Sequence, residues 1–242
     1  MTNLPAAAPA PLPGFVPRDR TLLMGVLNVT PDSFSDGGRW VDPEAAVAHA
    51  RELIAQGADI IDVGGESTRP GAQRVDVDTE ISRVLPVVRA LLADTSEGGG
   101  SAIISVDTIH AATAEAAIDA GAHIINDVSG GLAELDAAGV DRSQVVLDPG
   151  LGFAKTHAQS WELLAATARL VEDLGQPLLV GSSRKRFLAL AAEAEATPVQ
   201  RDAVTAATTA LAAAAGAWAV RVHEVPVNRA AVRTASLWKE HQ

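Results

Sequence analysis

The sequence predicts an α/β fold of the TIM type: a (β/α) barrel filling residues 18–242 as a single domain, behind a mobile Ala/Pro-rich tail at 1–17. Three observations predict it. Seven apolar runs of strand length recur, at 21–30, 58–65, 101–108, 123–130, 144–150, 177–183 and 219–225. Helix-period stretches lie between them, at 43–56, 79–94, 110–120, 160–174 and 200–217. Nearly every apolar run ends in Gly, Asn, Asp or Ser. Strands that are apolar throughout and alternate with helices mean a parallel sheet covered by helices. An open doubly wound sheet competes with the barrel. It lacks its fingerprint, because no Gly-x-Gly-x-x-Gly opens the first helix. It would also gather the polar strand ends at one switch point, whereas here they follow nearly every strand. In a barrel all those ends meet on one face, where active sites sit.

Each element has its own local signal. TLLMGVLNVT (21–30) is continuously apolar and gives way to the polar loop LNVTPDSFSDGG (27–38). The helix PEAAVAHARELIAQ (43–56) opens with Pro at a first-turn position and closes at Gly57, as helices prefer. ADIIDVGG (58–65), SAIISVDT (101–108), HIINDVSG (123–130), QVVLDPG (144–150), PLLVGSS (177–183) and AVRVHEV (219–225) repeat the strand-then-polar pattern. The run AVTAATTALAAAAGAWAV (203–220) is nearly long enough to span a bilayer, but it holds three Thr among weakly apolar Ala and reads as a packed helix.

Composition narrows the function. Apolar residues make up 48% of the 242, which is globular. The absence of Cys excludes a disulfide scaffold and a Cys-based zinc site, and it fits a reducing cytoplasm. A net charge of −11 argues against nucleic acid as a partner. The N-terminal MTNLPAAAPAPLPGFVP has neither the charged start nor the unbroken apolar stretch of a secretory signal, and no membrane partner is expected. An acidic protein that binds an anion must gather its few cations locally.

The strand ends supply the candidates. Asn28, Asp32 and Asp36 offer oxygens, which suit Mg²⁺ with a phosphate substrate or, as readily, an Asx-turn loop. DVGGESTRPGAQR (62–74) pairs two glycines with Arg69, a planar fork for diphosphate or a plain surface arginine. Asp107, Asn126 and Asp148 each follow an apolar run, where a polar group without partners is costly. They are helix caps or, taken together on one rim, readers of a polar heterocycle. GSSRKRF (181–187) places Gly181, Ser183 and Lys185 on one turn, and Arg221 and His223 share one side of a strand. Arg69, Lys185, Arg221 and His223 together would form an anion pocket. Gly-x-Ser-x-Gly, Cys and His-Glu-x-x-His are all missing, so binding and electrostatics must carry any reaction.

MGVLNVTPDSFSDGG, IDVGGESTRPGA, SVDT, HIINDVSGG, LDPGLGFAKT, GSSRKRF and RVHEV, in that order from residue 24 to 225, resemble the successive loop motifs of dihydropteroate synthases. The resemblance implies a folate-pathway transferase that joins 6-hydroxymethyl-7,8-dihydropterin diphosphate to 4-aminobenzoate, with Mg²⁺ as cofactor and a homodimer as assembly. It implies that Asn28 binds the metal. Thr68, Asp107, Asn126, Asp148 and Lys185 would hold the pterin diphosphate. Arg221, Val222 and His223 would take the diphosphate, with Asp32 and Arg69 helping as the first two loops close. Phe34, Pro70, Phe153 and Ser183 would line the 4-aminobenzoate slot, where sulfonamides compete in the family. Asp107, Lys185, Arg69 and Asp32 are the implied catalytic set. A non-catalytic pterin-binding homologue and a pterin-dependent methyltransferase, which resembles the same barrel, are the alternatives.

One departure is large. The family barrel has eight strands, and the sequence shows seven. A strand–helix unit is missing between residues 131 and 143, where only GLAELDAAGV stands. Barrel geometry ties strand number to tilt and stagger, so such a loss is not local. A smaller departure is Ala189, where the family pattern has Gly.

Overall fold

Parallel strands alternate with helices along the chain, as the apolar runs require. The computed structural model describes residues 20–30, 42–66, 75–96, 102–127, 137, 140–192 and 196–242. Asp32, Phe34, Thr68, Arg69 and Pro70 lie outside the described residues, as do the tail 1–17 and most of the segment 131–139. Seven strands stand among the described residues: β1 (Leu22–Asn28), β2 (Ile60–Gly64), β3 (Ile103–Asp107), β4 (Ile124–Asp127), β5 (Val145–Leu147), β6 (Leu179–Val180) and β7 (Ala219–Val222). The helices are α1 (Pro43–Gln56), α2 (Val77–Ser96), α3 (Ala111–Asp119), α4 (His157–Ala165), α5 (Thr167–Leu174), α6 (Asp202–Ala214) and α7 (Val225–Glu240).

The chain divides into two units by its contacts. Met24–Val145 form one, and Val146–Gln242 with the residues up to Leu23 form the other. In the first unit β1, β2, β3 and β4 pair in parallel, one after the next, with Asn28↔Gly64, Gly64↔Asp107 and Asp107↔Asn126 in register. Every residue of β2 is buried, as a strand covered on both faces must be. In the second unit β6 pairs with β7 in parallel, and Leu147 of β5 bridges Leu178. The N–H of Leu22 donates to the Trp218 carbonyl at 2.9 Å there.

Helix ends follow local chemistry. Asp42 caps α1 by accepting the Glu44 N–H at 2.9 Å, and Gly57 closes it with a left-handed φ of 109°. Thr156 and Gln159 form a reciprocal capping box at α4. The apolar stretch 160–174 predicts one helix, but two are found. Ala166 leaves the helical backbone with ψ near 6°, and the Thr167 hydroxyl takes the Leu164 carbonyl at 2.6 Å. A side chain that competes for backbone acceptors interrupts a helix in this way. The structure also adds α7 after β7, with Glu224 accepting the Val227 N–H at 2.9 Å and Pro226 in its first turn. Ala189 lies in the short helix Arg186–Leu190 and has no positive φ, so the Gly of the family pattern is not required there. No helix among the described residues is long and apolar enough to cross a membrane.

Candidate active site

The C-terminal ends of β1 to β4 carry one polar row. Register aligns Asn28, Gly64, Asp107 and Asn126 across the four strands, and the row beneath is Val26, Asp62, Ser105 and Ile124. Side chains in register share a face, so three candidates named from sequence are brought together with a gap at Gly64. A Cβ placed on Gly64 would stand 3.5 Å from Asn28 Oδ1 and 3.9 Å from Asp107 Oδ2. A side chain's first carbon there would thus be in van der Waals contact with both groups. Asn126 is fully buried, and its Nδ2 donates to Asp62 Oδ2 at 3.1 Å.

The turn after Asp107 is tied down from behind. Buried Glu80 in the first turns of α2 accepts on one oxygen from Thr108 Oγ1 (2.9 Å), Thr113 Oγ1 (2.6 Å) and His110 Nδ1 (3.0 Å). The Thr108 hydroxyl in turn accepts the His110 N–H at 3.1 Å. One turn along α2, Arg83 donates to the Gly65 carbonyl at 3.0 Å. Thus α2 braces the loops that follow both β2 and β3.

The second unit brings its own candidates together. The Asp148 carboxylate accepts the Gly150 N–H at 2.8 Å on Oδ1 and lies over Gly181 with Oδ2. A Cβ on Gly181 would sit 2.6 Å from that Oδ2 and 3.7 Å from Lys185 Nζ. Asp148 and Lys185 therefore crowd the same point, and only glycine leaves it free. Lys185 Nζ also stands 4.2 Å from the centre of the Phe153 ring, a cation–π arrangement.

Lys185 owes its position to its neighbour. Arg184 adopts a left-handed backbone (φ 61°) and grips Asp202 at the start of α6 through two bonds of 2.8 and 2.7 Å. Its own N–H donates to Thr205 Oγ1 at 3.2 Å. The strained turn is thus held from both main chain and side chain.

Ser183 and His223 form a pair. Ser183 Oγ accepts the His223 backbone N–H at 3.2 Å and lies 3.0 Å from His223 Nδ1. The hydroxyl has a second lone pair and one hydrogen, so it meets Nδ1 as acceptor or donor according to the ring's tautomer. His223 as a residue is exposed, while protein atoms crowd its ring. Crowding by protein atoms, then the charges of Arg221 and Arg184, push its pKa from 6.5 down to about 4. His223 is therefore neutral at ordinary pH, and the positive charges that bear on it are those of Arg221, Arg184 and Lys185. Val222 points away from both, buried at 1% exposure in the core, so only its backbone is available to a ligand.

Sequence reasoning missed several supports. Asp62 had a signal, a carboxylate inside the apolar run ADIIDVGG and two residues before Gly64 on the same face. Glu80 and the Arg184–Asp202 pair had none, since charged residues near helix starts are commonplace.

A family model described as pterin binding enzyme matches residues 24–137 and 131–223. The match restarts inside the segment where the sequence lacks a strand–helix unit. The dihydropteroate synthase of Mycobacterium leprae is 42% identical over 270 positions, covering 89% of this chain and 93% of its own. Since 89% of 242 residues is about 215, about 55 of those 270 positions face no residue here. A dihydropteroate synthase structure from Clostridium difficile, in the presence of pteroic acid, superposes with a TM-score of 0.80 at 36% identity, over 90% of this chain and 97% of that one. One from Xanthomonas albilineans, with 4-aminobenzoic acid, gives 0.76 at 38% identity, over 93% and 94%. The chain belongs to the pterin-binding enzyme family, and the α/β barrel class expected from its sequence is the family's. Within that family it belongs with the dihydropteroate synthases, transferases of folate biosynthesis.

Proposed function

We propose that this chain, acting through a single domain of residues 18–242, condenses 6-hydroxymethyl-7,8-dihydropterin diphosphate with 4-aminobenzoate to give 7,8-dihydropteroate and pyrophosphate. The observation that supports it most is the meeting of Asp148 and Lys185 over Gly181, a carboxylate oxygen and a cation 2.6 and 3.7 Å from where a Cβ would stand. Asp148 suits two adjacent ring N–H groups, and Asp107 and Asn126 offer further polar contacts to the same heterocycle. Lys185, Arg221 and the neutral His223 ring suit the diphosphate. Phe153 and Ser183 suit the arylamine, with Phe34 and Pro70. Thr68 assists the diphosphate, and Asp32 and Arg69 close over it.

The chemistry needs no nucleophile from the protein. The bond between the pterin methylene carbon and the diphosphate oxygen lengthens, and positive charge develops on the pterin. Asp107 and Asp148 stabilise that charge, while Lys185, Arg221 and His223 stabilise the departing pyrophosphate. The neutral amine of 4-aminobenzoate then forms the new C–N bond, and its proton leaves to solvent or pyrophosphate. Asn28 suits Mg²⁺, because its amide offers an oxygen ligand and a hydrated ion needs few protein ligands when phosphate supplies the rest. That ion would neutralise charge on the leaving diphosphate.

We place the enzyme in the cytoplasm as a homodimer, with Leu211 of α6 and Trp238 of α7, 64% and 65% exposed, as apolar surface for a second copy. Light scattering that finds a monomer overturns the dimer. A coupled pyrophosphate-release assay with both substrates tests the activity. Release that depends on 4-aminobenzoate is expected. Pterin binding without release would instead mark a non-catalytic homologue, the outcome to which the missing strand–helix unit would point.

A further inference from the structure

Asp62 lies two residues before Gly64 in β2, so both face the polar row. Register puts Ser105 of β3 beside it, while Asn126 stands on β4, level with Asp107. The Asp62 carboxylate therefore reaches across the whole of β3 to meet Asn126 at 3.1 Å. The residue beneath this bridge is Ser105, whose side chain is small enough to let it pass. Asp62, Ser105 and Asn126 are all fully buried.

The bridge has a direction. A carboxylate accepts hydrogen bonds and does not donate them, so the Asn126 amide must turn its NH₂ toward Asp62. Its Oδ1 then faces away, buried and without a hydrogen-bond partner among the described residues. A buried amide oxygen left in this way requires an explanation, and a donor brought by a ligand is one.

We propose that Asp62 is a positioning residue that fixes the Asn126 amide, committing its oxygen to accept an N–H from the bound heterocycle. Asn126 thereby selects ring edges that present a donor at that place and rejects those that present an acceptor. The proposal rests on the pterin-binding reading above.

The test exchanges the two partners. In Asp62→Asn the new amide can donate to Asn126 Oδ1, so the fixed orientation is lost. The Kd for a pterin, read by calorimetry, is expected to rise at least about tenfold, while the KM for 4-aminobenzoate stays unchanged. The double variant Asp62→Asn with Asn126→Asp restores the bridge in reverse. The amide now on β2 donates to the carboxylate now on β4, whose second oxygen still faces the ligand. Pterin affinity is expected to recover relative to either single variant, as residues in direct contact couple. Ser105→Val should block the bridge and weaken pterin binding, whereas Ser105→Ala should not. Wild-type affinity in folded Asp62→Asn overturns the proposal. If that variant does not fold, a folded double variant with no recovery over Asn126→Asp overturns it instead. Failure of the wild-type chain to bind any pterin would overturn the functional reading, which is a separate result.

Discussion

A side chain at Gly181 would force Asp148 to shift, because Asp148 Oδ2 lies 2.6 Å from where a Cβ would stand. Gly181→Ala must displace that carboxylate. Pterin affinity is expected to fall at least about tenfold, which is about 1.4 kcal/mol, and isothermal calorimetry reads it directly. His223 gives a second test at this scale. Its pKa is lowered in the folded chain, from 6.5 to about 4, so between those values the unfolded chain binds more protons. The contribution of His223 to stability is therefore fully present above about pH 6.5 and is lost as the pH falls toward about 4. An NMR titration should find the ring neutral at pH 5.5, and His223→Asn should flatten the acid limb of the stability profile. An imidazole midpoint near 6.5 would contradict both expectations.

At the scale of elements, the loops that carry the candidates depend on groups buried behind them. Glu80 accepts three hydrogen bonds behind Asp107, and Glu80→Ala leaves those donors with no buried acceptor. A loss of about 1–3 kcal/mol in urea unfolding is expected, with a raised KM for the pterin substrate. Phe187 is 1% exposed and meets Trp161 edge-on at 5.6 Å, while Trp161 Nε1 donates to the Phe187 carbonyl at 3.2 Å. This contact seats the short helix that follows Lys185. Phe187→Ala should cost about 3–5 kcal/mol, measured the same way. Such supports mark the limit of what can be read from sequence. The strands were legible because they are apolar on both faces, and Asp107, Asn126, Asp148 and Lys185 because each breaks an apolar run or sits in a recognisable loop. The break at Ala166 was not, since it depends on one hydroxyl taking one carbonyl. Nor was the role of Glu80, whose burial is set by residues 28 to 33 positions away.

At the scale of the whole chain, the strands are unequal. β1 holds seven residues and β2 and β3 five each, whereas β5 holds three and β6 two. Short strands carry few ladder bonds, so backbone opening needs less free energy there. Amide hydrogen exchange followed by mass spectrometry should find the segment 144–150 and the segment 177–185 fastest among the sheet residues, and 22–28 slowest. Equal protection throughout would contradict this. The loops with Asp148, Ser183 and Lys185 hang from the two shortest strands. A ligand gripped by them stabilises the closed form by mass action, and protection should rise most at those segments when pterin diphosphate is added. The substrate then acts as a missing structural member, and heat inactivation of the enzyme should slow in its presence.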